Sequence, residues 1–199
     1  MPILKKIVFC TLVFITVFIN LSFYNPTQNK ILKKEIFKIF KDKNYAVTFE
    51  YLEPLNENSD EHLGTLKVIY KNKKVIFREK IIFYQPKIEF LDMNNDAIKD
   101  ILILYQSSAR SIWYQHLYLV DNKKNKIIYV KGFQKLPNPD FDSKNNIIIC
   151  TGLADVTYYS FYRINQYNKL IDLGNKFSND DENNSKYENA INRILSNKK

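Results

Sequence analysis

The sequence predicts a mainly β fold of antiparallel sheets, in the form of a sandwich or of propeller-like blades, with a hydrophobic N-terminal helix and short flanking helices. Short runs of alternating apolar and polar residues follow one another at a spacing of about ten residues. Polar links of about four residues join several of these runs, as in β-hairpins. The chain has only 4 Gly and 6 Pro, which argues against a disordered or collagen-like protein.

The length of 199 residues suits one well-buried domain and is short for two. We expect residues 1–25 to form a signal peptide or membrane anchor, and residues 26–44 an amphipathic linker helix. Residues 45–175 are predicted to form the β domain, and residues 176–199 a polar spacer and a weak C-terminal helix. The net charge of +9 indicates either a solvated basic surface or attraction to an acidic partner.

The N-terminus has the pattern of an export signal. Lys5 and Lys6 precede residues 7–23, which contain no charge. No cleavage site of small residues follows this segment, and its length is near the lower limit for crossing a bilayer. It is therefore either cleaved or retained as an anchor with the lysines in the cytoplasm. In both cases the rest of the chain is expected to be outside the cytoplasm, in the periplasm.

The two flanking helices rest on helical spacing of apolar residues. Ile31, Ile36, Phe37, Ile39 and Phe40 form one stripe within residues 29–43, which would pack on the domain or lie on a membrane surface. Residues 187–195 resemble a short terminal helix.

The β pattern begins at Tyr45. Strands are predicted at residues 45–52, 64–70, 75–83, 88–91, 101–104, 112–120, 127–130, 147–151, 157–164 and 169–172. The pairs 64–70 with 75–83, and 112–120 with 127–130, have the short polar links of hairpins. Residues 101–104 form an unbroken apolar run, which is typical of a strand buried on both faces.

An acidic loop follows residues 88–91. Asp92, Asn94, Asp96 and Asp100 occupy its positions 1, 3, 5 and 9, and oxygen atoms at such spacing can surround Ca²⁺. The loop is not an EF-hand, because it lacks the Gly at position 6 and the Glu at position 12. The alternative is a turn whose Asp and Asn side chains bond their own backbone. The sequence therefore predicts a structural Ca²⁺ site, with a turn alone as the other interpretation.

The pattern Asp-x-Asn-x-Asp-x-x-x-Asp before an aliphatic strand resembles the calcium loop of FG-GAP, integrin-type propeller repeats. Over residues 65–172, the chain also resembles a family of small exported bacterial proteins, many of them lipoproteins, that carry one such loop. In that family Tyr-rich strands and a segment like residues 136–142 follow the loop. The resemblance implies inhibition of lysozyme-type, peptidoglycan-cleaving enzymes in the periplasm, including the role of immunity protein against a secreted toxin. Ala97 departs from the family's loop glycine.

No arrangement of residues points to catalysis. His62 and His116 have no partners at diagnostic spacing, and the motifs of phosphate loops, metalloproteases and serine hydrolases are missing from the sequence. Cys150 lies in an apolar run, which indicates a buried and unreactive thiol. We therefore expect a protein that is not an enzyme. Export argues against nucleic acid as a partner, although basic and aromatic residues occur together.

Two loops are the candidate partner-binding segments, since recognition commonly uses loops on a rigid scaffold. One is residues 106–111, with Ser107, Ser108 and Arg110. The other is residues 152–159, with Asp155, Tyr158 and Tyr159, although these tyrosines are equally consistent with the two faces of a strand. The first hypothesis is a binding or inhibitor protein for a peptidoglycan hydrolase or toxin. The alternative is a carbohydrate-binding or structural module that contacts a cell-envelope polymer.

Overall fold

The computed structural model describes residues 33–37, 45–54, 61–70, 73–85, 87–108, 111–153, 156–174, 176–179 and 185–196. Contacts divide the chain into residues 1–30 and 31–199, and all described residues belong to the second unit. The predicted signal or anchor therefore lies outside the described residues. Within the described part, no helix is both long enough and apolar enough to cross a membrane.

The described part contains thirteen strands and one α-helix. The strands are β1 Lys33–Phe37, β2 Tyr45–Pro54, β3 His62–Tyr70, β4 Lys74–Phe83, β5 Ile88–Leu91, β6 Asp100–Ser108, β7 Ile112–Asp121, β8 Lys126–Tyr129, β9 Pro139–Asp142, β10 Ile147–Leu153, β11 Thr157–Ile164, β12 Leu170–Asp172 and β13 Phe177–Asn179. Helix α1 spans Ser185–Ser196, and a 3-10 turn spans Phe133–Lys135.

The strands form three antiparallel sheets, each made from strands that follow one another in the chain. The first sheet has the order β1-β2-β3-β4, and the second β5-β6-β7-β8. The third has the order β12-β11-β10-β9, and β13 also pairs with β11. The predicted mainly β fold of antiparallel sheets is confirmed.

The sheets stack face to face, because each strand turns alternate side chains to opposite sides. Ile101 and Ile103 of β6 pack against the first sheet, while Leu102 packs toward the third. Both faces of β6 are thus buried, as its unbroken apolar run predicted. The outer face of the third sheet is covered by α1, where Ala190 and Ile194 contact Phe161. The order of layers is therefore first sheet, second sheet, third sheet and α1.

Hairpin turns from all three sheets lie at one end of this stack, which we call the turn end (residues 73–74, 92–99, 121–126, 142–146 and 165–169). Lys74 and Asn125 line one cavity of about 390 Å³, which joins the turns of the first and second sheets. Met93 of the second sheet and Phe141 of the third line another common cleft. The opposite end, which we call the aromatic end, carries Trp113, Pro137, Asn138, Gly152 and Tyr158.

Three local predictions are wrong. The helix expected over residues 29–43 is replaced at Lys33–Phe37 by β1, so the first sheet begins before the predicted domain boundary at residue 45. Pairing with β2 supplies backbone hydrogen bonds that outweigh the weak helical pattern. The loop expected at residues 106–111 is shorter, because residues 106–108 continue β6 and pair with β7. Phe177–Asn179 enters the third sheet, although residues 176–199 were expected to begin with a polar spacer.

The two predicted hairpins and the terminal helix are confirmed. β3 pairs with β4 and β7 pairs with β8, in both cases antiparallel across a short turn. Helix α1 includes the residues expected to be helical. Strand β9 begins at Pro139, and among the described strands it pairs only with β10. Proline is tolerated there because an edge strand leaves one side of its backbone unpaired.

Candidate functional site

The acidic loop is organised around Asp92, which accepts backbone hydrogen bonds from the residues that follow it. Its Oδ1 accepts from the N–H groups of Asn95 (2.7 Å) and Asp96 (3.2 Å), and its Oδ2 from that of Ala97 (2.7 Å). An Asp side chain that bonds the backbone a few residues later stabilises a turn. Asp92 therefore fixes the path of the loop.

Asn94 and Asp96 are bonded to each other at the loop surface. Asn94 Nδ2 donates to Asp96 Oδ2 (3.1 Å), and the Asp96 N–H donates to Asn94 Oδ1 (3.2 Å). Asp96 Oδ1 also accepts from the N–H of Ile98 (2.8 Å). Asp96 is exposed, so its carboxylate is the one most open to solvent in this loop.

Asp100 lies beneath the loop and is fully buried. Its Oδ2 accepts from the Met93 N–H (2.9 Å), and its Oδ1 from the Val120 N–H (3.0 Å). Burial raises the pKa of this carboxyl to about 7, although the two hydrogen bonds act in the opposite direction. Asp100 thus joins the loop to β7.

The four predicted ligands therefore come together in one loop, but their oxygens also receive backbone or amide donors. Among the described residues, no group of three or more His, Cys, Asp or Glu is arranged to hold a metal ion. Asp92, Asn94 and Asp96 border the loop surface with the hard oxygen atoms that Ca²⁺ prefers, while Asp100 is turned into the core. Calcium binding at Asp92, Asn94, Asp96 and Asp100 stays a prediction.

Ala97 has φ 64°, in the left-handed region. A side chain with a Cβ atom is strained in this conformation, whereas glycine is not. This explains physically why a loop of this type favours Gly at its sixth position.

The first predicted partner-binding segment is mostly strand. Ser107 pairs with Trp113, and Ser108 pairs with Ile112, so both serines belong to the β6–β7 ladder. Arg110 and Asp155 lie outside the described residues. The structure therefore does not bring these four residues together into one described site.

Tyr158 and Tyr159 face opposite sides of β11, as one of the two interpretations expected. Tyr159 stacks on Phe177, with ring centroids 5.2 Å apart, and meets the edge of Tyr187 at 5.7 Å. It therefore packs between the third sheet and α1. Tyr158 is 50% exposed.

Tyr158 lines a cleft of about 360 Å³ together with Pro137, Gly152 and Tyr162. The Lys176 Nζ lies 5.9 Å from the centre of the Tyr162 ring and 2.9 Å from Asp172 Oδ2. A Cβ added to Gly152 would meet Pro137 and Tyr158 at 3.9 Å, which is ordinary contact. The absence of a side chain at Gly152 leaves space between Pro137 and Tyr158.

Trp113 lines the cleft of about 220 Å³ between the second sheet and β9 that also includes Met93 and Phe141. Trp113 is 37% exposed, and Lys87 Nζ lies 5.3 Å from the centre of its ring. Glu89 accepts from Lys87 Nζ at 2.8 Å and from Gln115 Nε2 at 3.3 Å. An aromatic face beside an ammonium, a carboxylate and an amide gives this cleft both apolar and hydrogen-bonding surface.

Asn138 fixes the backbone of Trp113. The Trp113 N–H donates to Asn138 Oδ1, and the Asn138 N–H donates to the Trp113 carbonyl, both at 2.8 Å. Asn138 Nδ2 donates to the Thr151 carbonyl (3.1 Å), and the Thr151 N–H donates to the Pro137 carbonyl (3.1 Å). Residues 137–138 therefore tie β7 to β10 between the two clefts.

Sequence reasoning missed this role of Asn138. The available signal was an asparagine between two prolines, and Asn138 has φ 41°, a left-handed conformation that asparagine adopts more readily than most residues. Its two partners are distant in the sequence, so no local pattern indicates these contacts.

Two of the side chains considered for chemistry, His116 and Cys150, are packed. His116 Nδ1 lies 3.2 Å from the Tyr129 hydroxyl, its ring centroid is 4.7 Å from that of Tyr105, and burial lowers its pKa. Cys150 is buried as predicted, and burial raises its pKa to about 12, which disfavours the reactive thiolate.

A comparison of this chain with protein-family models, curated proteins and solved structures finds no match.

Proposed function

We propose that this chain is an exported, non-catalytic protein that binds and inhibits a lysozyme-type peptidoglycan hydrolase, in the manner of an immunity protein. We further propose that its three sheets are propeller-like blades that hold the binding surface rigid. The observation that carries the proposal is the pair of exposed rings, Trp113 and Tyr158, on either side of the fixed Pro137–Asn138 segment at the aromatic end.

Exposed aromatic rings on a rigid backbone are favourable anchors for a protein interface. Tyrosine and tryptophan supply a large part of the binding energy at many interfaces. A surface that is already ordered loses little conformational entropy when a partner binds. Asn138 provides this order, because its hydrogen bonds join strands of two different sheets.

The distribution of charge also supports the aromatic end as the surface that binds the hydrolase. Many lysozymes are basic, and a basic inhibitor would repel them. The exposed lysines of the hairpin turns lie at the turn end. At the Trp113 cleft, Glu89 and Asp140 are present beside Lys87. A basic enzyme can therefore approach the aromatic end without facing the lysine-rich turns.

The test is inhibition of peptidoglycan hydrolysis by purified lysozyme-type enzymes, including any hydrolase encoded beside this gene. We expect Trp113→Ala and Tyr158→Ala each to weaken inhibition about tenfold or more, as for interface anchors. Tyr167→Ala is the matched control, because Tyr167 is also an exposed ring, but at the turn end. The proposal is wrong if no such enzyme is inhibited, or if all three substitutions have the same effect.

A second candidate function is a carbohydrate-binding module of the cell envelope without an enzyme target. The Trp113 cleft favours it, since an amphipathic ring can stack on a sugar and Glu89, Gln115 and Lys87 can hydrogen-bond its hydroxyl groups. The chain has 1 Trp, so its fluorescence reports on this cleft alone. Titration with neutral oligosaccharides of N-acetylglucosamine should change the emission, and Gln115→Ala should weaken binding. An unchanged spectrum at millimolar sugar, together with no sedimentation on purified cell wall, excludes this function.

A further inference from the structure

The turn end carries a group of exposed lysines that neither function above uses. They belong to five turns in three sheets, and the described members are Lys73, Lys74, Lys99, Lys123, Lys124, Lys126, Lys144 and Lys169. Stacked sheets lie about 10 Å apart, so turns from three successive sheets extend over about 20 Å. The lysines therefore form a row across the stack.

The carboxylates of the same turns point back to the backbone. Asp121 Oδ1 accepts from the Lys124 N–H (3.0 Å), and Asp142 Oδ1 accepts from the Asn145 N–H (3.1 Å). Asp92 does the same in the acidic loop. These three aspartates are only partly exposed, whereas all eight lysines are exposed. Asp96 is the one exposed aspartate of the described turns, and Lys124 Nζ lies 3.7 Å from Asp121 Oδ2. The eight exposed lysines therefore outnumber the exposed negative charge of this surface.

An exposed aromatic ring completes this surface. Tyr167 is 71% exposed at the tip of the β11–β12 turn. Asn165 Oδ1 fixes the turn by accepting the N–H groups of Tyr167 (2.9 Å) and Lys169 (3.0 Å). The ring is therefore presented to solvent from an ordered backbone beside a lysine.

We propose that the turn end binds a linear, negatively charged polysaccharide of the cell envelope. The row of ammonium groups fits repeated carboxylate or phosphate groups along a polymer, and Tyr167 fits the face of a sugar ring. The proposal uses the export argued above but does not depend on the inhibitor role, since the two surfaces are at opposite ends of the stack.

Two other polyanions are less compatible with this surface. Binding to an anionic membrane at an interface requires a continuous apolar face. The large apolar or aromatic side chains exposed at or beside the described turns are Val75, Leu91, Tyr167 and Ile171, which are divided among three different sheets. Nucleic acid would use the same charges and ring, but an exported protein meets envelope polymers first.

The test is binding of the full-length chain to polygalacturonate, a polysaccharide with a carboxylate on each sugar. A triple variant Lys123→Gln, Lys126→Gln and Lys144→Gln should bind about tenfold more weakly, since each lost charge removes a modest attraction. The matched control is Lys80→Gln, Lys135→Gln and Lys186→Gln, which removes the same charge from exposed positions on β4, the 3-10 turn and α1. It should bind within about twofold of the parent chain. Binding should also weaken steeply as salt is added.

Variants that lack a single aromatic ring distinguish polysaccharide binding at the turn end from hydrolase inhibition at the aromatic end. Tyr167→Ala should weaken polygalacturonate binding and leave hydrolase inhibition unchanged, while Tyr158→Ala should do the reverse. Equal losses in the two triple variants would overturn the proposal, because they would show attraction by net charge alone. It is equally overturned if polygalacturonate does not bind, or if a single-stranded oligonucleotide or phosphatidylglycerol vesicles bind more tightly.

Discussion

The turn end and the aromatic end are formed by the same strands, but their order comes from different kinds of contact. At the turn end, several Asp and Asn side chains bond backbone groups close to them in the sequence, as Asp121 bonds Lys124 and Asp92 bonds Ala97. At the aromatic end, Asn138 bonds Trp113, which is 25 residues away. The turns are therefore determined locally, whereas the aromatic clefts exist only after two sheets have packed together.

The largest expected effect is at the aromatic end. Asn138→Ala leaves the Trp113 N–H without its acceptor. It also places alanine at φ 41°, a left-handed backbone conformation that alanine adopts less readily than asparagine. We expect a loss of about 2–4 kcal/mol in the free energy of unfolding, measured with urea. Asn138→Gly removes the same hydrogen bonds without the backbone strain, so it should lose less. A change below about 0.5 kcal/mol in both variants would show that the clefts do not depend on this contact.

The second effect concerns Ca²⁺ at the turn end. If Ca²⁺ binds the folded acidic loop, a concentration one hundred times the dissociation constant adds about 2.7 kcal/mol to stability. Thermal unfolding should then shift upward with Ca²⁺ and return with chelator. Asp96→Asn is the informative variant, because Asp96 is exposed and Asn retains an acceptor for the Ile98 N–H. Identical melting curves with Ca²⁺ and with chelator would leave the Asx turn as the correct interpretation.

A smaller effect is expected from relief of strain in the same loop. Ala97→Gly removes the unfavourable Cβ at φ 64° but increases the freedom of the unfolded chain, so we expect a net gain of about 0.5–1 kcal/mol. Asn95 has φ 62°, yet asparagine tolerates this region, so Asn95→Gly should give no gain. Differential scanning calorimetry measures both. A lower melting temperature for Ala97→Gly would contradict this account of the loop.

The smallest effect is expected for His116, which lies at neither end of the stack. Burial lowers the pKa of His116, so in acid the unfolded chain takes up a proton before the folded chain does. The contribution of neutral His116 is complete above about pH 6.5, the unfolded value, and is lost as pH falls below it. Urea unfolding at pH 7.5 and 5.5 should show a smaller loss of stability in His116→Gln than in the parent chain. Equal losses of stability in the two proteins would contradict the prediction.

Much of the fold was predictable because its strands have local signals. The unbroken apolar run at residues 101–104 identified the central strand, and the short polar links identified two hairpins. Lys33–Phe37 was mispredicted because its lysine-rich pattern fits a helix, and only its distant pairing with β2 makes it a strand. β9 was missed because prolines usually end strands, and its edge position is not visible in the sequence.

The candidate sites were also predictable only where their signals are local in the sequence. The grouping of Asp92, Asn94, Asp96 and Asp100 was visible in the sequence, but the burial of Asp100 was not, since its partner Val120 comes from β7. Tyr158 was identified as a candidate, and its exposure separates it from Tyr159. The importance of Trp113 depends on Asn138 and Lys87, which approach it from different parts of the chain.

Helix α1 limits the number of sheets that can stack together. It occupies the face of the third sheet on which a further sheet would otherwise pack, with Ala190 and Ile194 seated over Phe161 and Ile147. Extension by duplication of a four-stranded unit is therefore blocked on that side unless the helix is displaced. Deletion of α1 would expose an apolar sheet face, and self-association through that face is the expected result.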